Sequence, residues 1–559
     1  MQFDIPARLL FTTFAVALTL GAFGASNKDI KKAAGFIDEA TYRTHVASLS
    51  DDEMEGRAIG TAGEQKTIEY VEKQFLELGL QPVTGGSFRQ QVPLVEITAI
   101  EPVLSFRKGA GAMELAFGSD MVITTRRVRP ESAVADSEVV FVGYGIVAPE
   151  YGWNDYAGVD MRGKTALILV NDPGFVTGDA DLFRGKAMTY HGRWTYKFEE
   201  AARQGAAAAI IIHDTAPASY DWGVVRNGWS GPQYYMESTD GNAGRTALEG
   251  WITHDRARQL IEMAGRDLAA MEAAAVKRGF KPMPLGVTAN GGVRNEIRRM
   301  QSPNLAAMMP GKDRPDEYVI YVAHWDHLGL TEGAAEDRIV NGAVDNATGV
   351  GGILAIAHGF RNLLPGPSRS VLFLAVTAEE SGLIGSEYYA QKPLVPLEKT
   401  AAVFNVDALI PLGRAKDLEV IGFGASELED LLAKAAKDQG RKLAPDRRSE
   451  AGYFYRSDHF NFAKAGVPAL YIKSGTNLRD QPAGTGLALS DRYYAVDYHK
   501  PSDEYAESWD VSGSIEDFRL LFEVGAKVAN AETWPEWYEG NEFRAARDAS
   551  AKSRAPAKE

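Results

Sequence analysis

The sequence predicts an α/β fold in which a mostly parallel, mixed sheet is sandwiched by helices and interrupted by an inserted α+β module. From about residue 286, short apolar runs alternate with helical patterns, which is typical of parallel strands joined by crossover helices. Between about residues 126 and 285, short apolar runs alternate instead with Gly, Asn and Asp turns. The chain has 559 residues, enough for two or three domains of ~100–200 residues each.

The amino-acid composition restricts the chemistry of any active site. The chain has no cysteine, which excludes thiol nucleophiles, thiolate zinc sites, iron–sulfur clusters and disulfides. A metal would therefore need His, Asp, Glu or backbone oxygen as ligands, and there are nine His. With 60 Lys and Arg against 75 Asp and Glu, the net charge is −15. Such a chain lacks the basic footprint of nucleic-acid binding, so we expect no nucleic-acid partner.

The N-terminal residues 1–26 are predicted to be a signal peptide. An uncharged, largely apolar run, residues 9–23, follows Arg8 and precedes the small residues Gly24, Ala25 and Ser26, the order of a secretory signal. The run is shorter than the ~20 residues that span a bilayer. We therefore expect export to the periplasm or the extracellular space, without a stable membrane span. The cleavage bond stays open.

Residues 27–125 and 286–544 are predicted to form one discontinuous domain, and residues 126–285 the inserted one. The N-terminal part predicts a helix from Ala62 to Leu78 that stops at Gly79. Within the insertion, a helix over residues 197–205 leads into the apolar strand Ala207–Ile212. The Ala-, Ser-, Lys- and Arg-rich tail, 545–559, is predicted to be disordered.

The second half of the chain supplies the strands and helices of the main sheet. The helical patterns lie near residues 346–362, 383–391, 426–439 and 514–532. The apolar strands are Val319–Ala323, Val371–Thr377, Ala401–Val406, Leu418–Ile421 and Ala469–Ile472.

Histidines and carboxylates follow three of these strands immediately. In parallel sheets, sites gather at the carboxyl ends of strands. A Gly-rich turn and a polar loop near the C-terminus add two further polar side chains. Each residue alone would suit a turn, a cap or a solvated surface, but together they predict a site for a divalent cation. They are His324 and Asp326, Glu379 and Glu380, Asp407, and, in the turn and the loop, Asp345 and His499.

Three segments resemble the co-catalytic zinc aminopeptidases, a family that includes glutamate carboxypeptidase-like and glutaminyl-cyclase-like enzymes. They are residues 323–329 (AHWDHLG), 342–350 (GAVDNATGV) and 378–386 (AEESGLIGS). Residues 405–407 (NVD), 456–460 (RSDHF) and 498–499 (YH) complete the pattern. The insertion is similar to the protease-associated domain of many members. The resemblance covers nearly the whole mature chain.

This resemblance implies two Zn²⁺ ions per chain. One would be bound by His324, Asp345 and Asp407, and the other by Asp345, Glu380 and His499. Asp345 would bridge the two ions.

The resemblance also implies two catalytic carboxylates beside the ligands. Glu379 would be the general base, and Asp326 would orient His324. Four further residues are candidates either for donating a hydrogen bond to the developing oxyanion or for lining the pocket. They are Tyr453, Tyr455, His459 and His327.

The predicted function is an exported di-zinc exopeptidase that hydrolyses the N-terminal peptide bond of peptides. A carboxypeptidase of the same fold is the alternative. A glutaminyl cyclase, with one zinc, fits the five-ligand set less well. A catalytically dead, receptor-like binding protein would have lost ligands, and none is lost. The acidic balance favours an aminopeptidase mildly. Terminal-residue preference, native metal, oligomeric state and the role of the insertion stay open.

Overall fold

The computed structural model describes residues 25–83, 85–331 and 336–554. The predicted signal peptide lies outside the described residues, apart from its last two positions. Within the described ranges, no helix is both long and apolar enough to cross a membrane.

The main helices bear out the predicted positions to within a few residues. The α-helices of six or more residues are α1 (Asn27–Ala34), α2 (Glu39–Leu49), α3 (Ala62–Glu77), α4 (Trp194–Arg203), α5 (Trp222–Gly228), α6 (His254–Met263), α7 (Leu268–Ala275), α8 (Thr348–Arg361), α9 (Ile384–Gln391), α10 (Leu428–Asp438), α11 (His459–Lys464), α12 (Thr485–Arg492), α13 (Ser512–Asn530) and α14 (Arg544–Ala549).

The strands include every strand predicted in the second half of the chain. Those of four or more residues are β1 (Arg89–Lys108), β2 (Gly111–Leu115), β3 (Met121–Thr124), β4 (Glu131–Phe141), β5 (Thr165–Leu169), β6 (Ala208–His213), β7 (Pro232–Met236), β8 (Leu248–Thr253), β9 (Met283–Met309), β10 (Arg314–His324), β11 (Arg369–Val376), β12 (Thr400–Asn405), β13 (Asp417–Val420), β14 (Lys442–Pro445) and β15 (Ala469–Ser474).

Most of these strands belong to one mixed sheet, whose order is β14-β13-β15-β12-β10-β11-β9-β4-β5-β6-β8-β3. At its centre β10 pairs in parallel with both β11 and β12, and β12 pairs in parallel with β15. In the second unit, β4, β5, β6 and β8 are also parallel neighbours. The predicted α/β architecture with a mostly parallel sheet is confirmed.

Strand β10 is buried on both faces because helices cover both sides of the sheet. Val319, Tyr321 and Ala323 pack into the core on one side, which includes α8 and α13. Ile320 and Val322 pack into the core on the other side. Successive side chains point to opposite faces, and both faces are buried, so the sequence of the strand is apolar throughout. This is typical of a central parallel strand.

Helix α13 lies directly against the sheet because a glycine allows the approach. The hydroxyl of Tyr321 donates a hydrogen bond to the carbonyl oxygen of Leu521 at 3.0 Å. A Cβ at Gly525 would lie 1.8 Å from the same hydroxyl oxygen. The contact therefore requires glycine at this position and fixes α13 behind the strand that carries the site.

The second unit has its own hydrophobic core, but its packing extends beyond the predicted limits of 126–285. Leu104 and Phe106 at the end of β1, and Met121 and Ile123 in β3, are buried in this core. At the other end the core extends to Val293 in β9. Strands β1 and β9 pair with each other over almost their whole length, from Arg89↔Leu305 to Arg107↔Thr288. They pass from one unit into the other as a continuous two-stranded ribbon.

The C-terminal tail differs from the disorder predicted from Ala545 onward. Residues 544–549 form α14, and a further helical turn covers Ala551–Arg554. The side chain of Arg547 is 1% exposed and donates to the carbonyl oxygen of Thr400 at 3.0 Å. This basic side chain is an anchor against β12, which composition alone does not reveal. Residues 555–559 lie outside the described residues.

Candidate metal centre

The predicted site residues meet at the carboxyl edge of the central strands. His324 is the last residue of β10, and Asp407 lies two residues beyond the end of β12. Glu379 and Glu380 follow β11, which pairs with β10 on its other side. Because neighbouring parallel strands end at one edge, their polar extensions are brought together.

Two groups of side-chain atoms share Asp345. Nε2 of His324 lies 3.2 Å from Oδ1 of Asp345 and 3.7 Å from Oδ1 of Asp407. Nε2 of His499 lies 3.2 Å from Oδ2 of Asp345 and 3.3 Å from Oε2 of Glu380. The structure thus brings together the five side chains that the sequence analysis selected as metal ligands, with Asp345 between the two groups.

The loop that carries Asp345 is fixed from two sides. The buried guanidinium of Arg57 donates to the carbonyl oxygens of Asn341 and Gly342 at 2.5 and 2.8 Å. The carboxylate of Asp503 accepts hydrogen bonds from the backbone N–H groups of Val344 and Asp345, at 3.0 and 3.2 Å. Sequence analysis assigned neither residue this positioning role. The Gly56-Arg57 pair in an N-terminal loop was the available signal for Arg57.

A glycine is required at the start of the same loop. Gly342 has φ +58°, and a Cβ there would lie 2.2 Å from the carbonyl oxygen of Asp345 and 2.4 Å from the ring of His327. A side chain at this position would displace the carboxylate shared by the two groups.

Asp326 lies where predicted, but its carboxylate contacts different atoms. It accepts the backbone N–H groups of Glu379 at 3.1 Å and Glu380 at 3.4 Å. Its Oδ1 is 3.8 Å from Nδ1 of His324, whereas its backbone carbonyl oxygen is 3.1 Å from that nitrogen. The backbone of Asp326 therefore orients the His324 ring, and its carboxylate positions the Glu379-Glu380 segment.

Glu379 is held in a low-dielectric environment beside the site. Burial raises the pKa of its carboxyl well above the usual range, and the positive charge of His324 opposes this rise. The carboxylate of Glu379 lies close enough to His324 and Asp407 for the three side chains to hold a metal ion. Glu380 is placed in the same way beside His324 and Asp345. Glu379 is thus near enough to act on a molecule bound at this group.

The four candidate oxyanion or pocket residues have different surroundings. His327 lines the cleft, and its Nδ1 lies 2.6 Å from Oε1 of Glu380, so it helps to hold that carboxylate. The ring of Tyr455 also lines the cleft, but its hydroxyl donates to Glu542 at 2.6 Å.

Tyr453 and His459 lie away from the cleft. Tyr453 lines a separate cavity of about 40 Å³. His459 is fully buried between Phe454 and Tyr471, with ring centroids 4.6 and 5.0 Å away, and burial lowers its pKa to about 3. Tyr453 faces this separate cavity and His459 faces the core, so neither residue is placed to donate to an oxyanion in the cleft.

Tyr498 has a better position than any of these tyrosines, and the sequence analysis did not select it. Its ring stacks on His499 with centroids 3.8 Å apart, and it lines the cleft. Burial, followed by the charge of Asp345, raises its pKa well above the usual value. The phenol therefore remains protonated and can donate a hydrogen bond. Its adjacency to His499 was the signal available in the sequence.

The chemistry of the donor atoms fits divalent cations. The Asp326 carbonyl oxygen accepts a hydrogen bond from Nδ1–H of His324, which leaves the lone pair of Nε2 facing two carboxylates. Oδ1 of Asp345 is buried and has no hydrogen-bond donor among the described residues. Acceptors that face one another in this way require a positive charge between them. A set of imidazole and carboxylate ligands suits zinc and other borderline or hard cations.

Without a cation, protons supply this charge. Burial lowers the pKa of His324, but Glu379 and the surrounding carboxylates outweigh it, so the pKa rises well above its usual value. Burial also lowers the pKa of His499, but the charges of Glu380 and Asp345 outweigh this effect and raise it to about 9. The site therefore attracts positive charge strongly.

The site opens into a cleft between the two units, with a cavity volume of about 890 Å³. Glu379, Glu380 and His499 lie on the wall formed by the main domain. The opposite wall comes from the second unit and includes Arg193 and Trp229. The arrangement can admit a small, extended molecule and present one of its polar bonds to the five-ligand cluster.

Residues 304–522 match the profile of Peptidase family M28. Over these residues, the resemblance to the co-catalytic zinc peptidases is thus confirmed. All five residues of the cluster described above lie within this range.

Relatives with related names are similar over parts of the chain. Aminopeptidase NAALADL1 of Mus musculus is 35% identical over 137 residues, which is 23% of this chain and 17% of that protein. A glutamate carboxypeptidase 2 homolog of Caenorhabditis elegans is 22% identical over 391 residues, 61% of this chain and 46% of that protein. The chain thus spans less than half the length of these curated relatives.

Two solved structures resemble the fold over most of the chain. An aminopeptidase from Aneurinibacillus sp. strain AM-1 has a TM-score of 0.49 and 21% identity, covering 90% of this chain and 96% of that one. The zinc aminopeptidase BSAP from Bacillus subtilis has a TM-score of 0.41 and 17% identity, covering 88% and 96%.

Proposed function

We propose that this protein is an exported metal-dependent exopeptidase that hydrolyses the N-terminal peptide bond of peptides. The observation that carries the proposal is the convergence of two histidines and three carboxylates on a shared Asp345 at the base of the cleft. The family match of residues 304–522 supports the reaction class. The apolar run at residues 9–23 supports export.

The ligand geometry supports two Zn²⁺ ions per chain. His324, Asp345 and Asp407 would hold one ion, and Asp345, Glu380 and His499 the other. When bound, such a pair of cations supplies Lewis acidity that polarises the scissile carbonyl and lowers the pKa of a water nucleophile.

The protein's own residues then move protons and stabilise charge. Glu379 accepts a proton from the attacking water and passes it to the leaving amine, a role usually worth ~10²–10⁴-fold in rate. Its raised pKa suits a group that must hold the proton between these two steps. Tyr498, whose phenol stays protonated, donates to the developing oxyanion. Asp326 keeps the Glu379-Glu380 backbone in place through two N–H groups.

The second unit is proposed to be a protease-associated domain inserted in the peptidase domain. Its separate core and its position across the cleft support this interpretation. Its role would be to close one side of the substrate site.

The second candidate is a carboxypeptidase of the same fold, and Arg193 favours it enough to require a test, because this side chain lines the cleft and forms no ion pair among the described residues. The experiment uses zinc-loaded protein and four versions of one dipeptide, with the amino end free or acetylated and the carboxyl end free or amidated. An aminopeptidase cleaves the amidated peptide and fails on the acetylated one, and a carboxypeptidase does the reverse. Failure on all four would refute the proposed exopeptidase activity.

A further inference from the structure

The second unit has a polar sheet edge of its own. Its strands β4, β5, β6 and β8 are parallel neighbours, so their carboxyl ends lie at one edge of the sheet. Each strand is followed within three residues by a polar side chain: Tyr144, Asp172, Asp214 and His254. In open α/β sheets, ligands bind in the crevice outside the carboxyl ends of the strands.

These four side chains line a cavity of about 400 Å³, within the ~300–1,000 Å³ that is usual for small-molecule sites. Within the described ranges, the cavity shares no lining residue with the cleft at the proposed metal centre. Leu169 and Ile212, at the ends of β5 and β6, contribute to its apolar wall. Val176 also lines it and is 62% exposed, so a ligand with an apolar body would cover a side chain that otherwise faces water.

Tyr144 is a buried polar group without a partner in this cavity. The residue is 4% exposed, and its hydroxyl forms no hydrogen bond with any residue that the structure describes. Burial, followed by the charges of Asp172 and Glu272, raises the pKa of this hydroxyl well above its usual value. The phenol therefore keeps its proton, and its oxygen remains free to accept a hydrogen bond from a bound molecule. A buried hydroxyl without a hydrogen bond is costly.

The charged groups that line the cavity are mostly acidic. They are Asp172, Asp214 and Glu272, against the single histidine His254, whose Nε2 lies 3.1 Å from Oε1 of Glu272. Oδ2 of Asp172 accepts hydrogen bonds from the backbone N–H and the hydroxyl of Thr189, at 3.2 and 2.9 Å. The acids with most capacity left for a ligand are therefore Asp214 and Glu272.

The geometry selects an organic cation over a metal ion or an anion. Among the described residues, the groups of acids and histidines that lie close enough to hold a metal ion are confined to the proposed metal centre. A carboxylate in the cavity would be repelled by Asp214 and Glu272, which disfavours fatty acids and free amino acids. An amine with an apolar body fits both parts of the lining, because its ammonium group faces the acids and its body faces the apolar wall.

We propose that this cavity of the second unit binds a small organic amine with an apolar body. Asp214 and Glu272 bind the ammonium group, and the hydroxyl of Tyr144 accepts one of its hydrogen bonds. The cavity volume favours a small molecule. The N-terminal residue of a peptide has the same chemistry, and the test separates the two sources. The inference does not depend on the proposed peptidase function.

The test titrates three probes of closely matched shape into zinc-loaded protein by calorimetry: 4-phenylbutylamine, 4-phenylbutan-1-ol and 4-phenylbutyrate. They share the apolar body and are positive, neutral and negative. We expect the amine to bind at least tenfold more tightly than the alcohol, and the carboxylate to bind more weakly than the alcohol. Equal affinities of amine and alcohol would overturn the inference.

The variants are Asp214→Asn and Glu272→Gln, singly and together, and Tyr144→Phe. Each single variant should weaken binding of the amine about 2–10-fold, the effect of one hydrogen bond, and the double variant at least tenfold. The alcohol should be affected by Tyr144→Phe alone. The matched control is Glu262→Gln, since Glu262 lies on the neighbouring helix α6, pairs with Arg258 at 2.9 Å and does not line the cavity. The control should keep the wild-type affinity.

A further variant separates this cavity from the metal centre, which also attracts positive charge. Titration of the amine into Glu380→Gln should leave its affinity within about twofold of wild type. Loss of binding in Glu380→Gln, with binding kept in the Asp214→Asn/Glu272→Gln protein, would place the amine at the metal centre and overturn the inference. Binding of the amine by a protein that hydrolyses no peptide would refute the proposed function alone.

The last titration identifies the source of the ammonium group. Phe-Gly-amide is added to zinc-loaded Glu379→Gln, in which its hydrolysis is slow. A binding event that is lost on adding Glu272→Gln would identify peptide N-termini as a second source of the ligand and would support the inference. Its absence, with the amine still bound, would assign the cavity to small amines.

Discussion

The adjacent carboxylates Glu379 and Glu380 have different predicted roles, and matched substitutions separate them. Both Glu379→Gln and Glu380→Gln keep the shape of the side chain and remove its charge. Asp326 binds the backbone N–H of both residues, so neither substitution removes the contacts that hold this segment. Oε2 of Glu380 lies 3.3 Å from His499, and Oε1 lies 2.6 Å from His327. Among the residues that the structure describes, Glu379 forms no ion pair, although its carboxylate approaches His324 and Asp407.

The size of each effect follows from these contacts. Removing the proton acceptor at Glu379 should lower kcat by ~10²–10⁴-fold, equivalent to ~2.7–5.5 kcal/mol of activation free energy at 1.36 kcal/mol per tenfold. Metal content should stay near two ions per chain. Removing the charge of Glu380 takes a ligand from the His499 group, so bound metal should fall toward one ion per chain, with loss of activity.

The assay measures zinc by mass spectrometry and steady-state hydrolysis of leucine p-nitroanilide on the same preparations. Thermal unfolding checks that both variants are folded. Turnover of Glu379→Gln within tenfold of wild type would refute its assignment as the base. Loss of metal from Glu379→Gln instead would show that it is a ligand, as its approach to His324 and Asp407 permits.

The remaining predictions concern the supports of the site. Gly342→Ala should abolish metal binding and activity, measured by zinc content, because its Cβ would overlap the metal-binding loop. Arg57→Met should destabilise the fold by about 3 kcal/mol or more in urea unfolding, because buried carbonyls lose their donor. Lys197→Met should lower the stability by ~1–3 kcal/mol at pH 7, because the carbonyl oxygen of His191 loses its donor at 2.6 Å and the buried carboxyls of Asp155 and Asp172 lose a nearby amine, whose own pKa burial lowers to about 7. Burial already raises the pKa of these carboxyls to about 7 and about 6, so protonation favours the folded state and the loss should shrink toward pH 5. An unchanged loss at pH 5 would contradict this reasoning. A chelator should lower the melting temperature, since it removes the cations that bind only the folded site.

The strands, the main helices and the positions of the proposed ligand residues could be predicted because each follows from local sequence. A buried apolar run predicts a strand, and a His or carboxylate directly after it lies at the sheet edge wherever the strand ends. His499 required more, because its loop contains no strand and its approach to Asp345 depends on the tertiary fold. There the motif resemblance, and not the pattern of apolar residues, led to the prediction.

The features that the sequence analysis missed depend on long-range contacts or on side-chain direction. Arg57 is 284 residues from Asn341, whose carbonyl it binds, and no local pattern reports such a contact. His459 follows the site motif closely in sequence but points into the core. The helix at Arg547 forms because one basic side chain finds a buried acceptor on β12. Its composition alone resembles that of a disordered tail.

The paired ribbon of β1 and β9 offers a natural point for shortening the chain. Thr98 and Glu296 are direct partners in this antiparallel ladder, so a two-residue turn between them would close the ribbon as a hairpin. Such a chain would retain the five-ligand cluster and lose Arg193 together with one wall of the cleft. A single pair of strands therefore joins the five-ligand cluster to the opposite wall of the cleft, and that wall could be exchanged without disturbing the cluster.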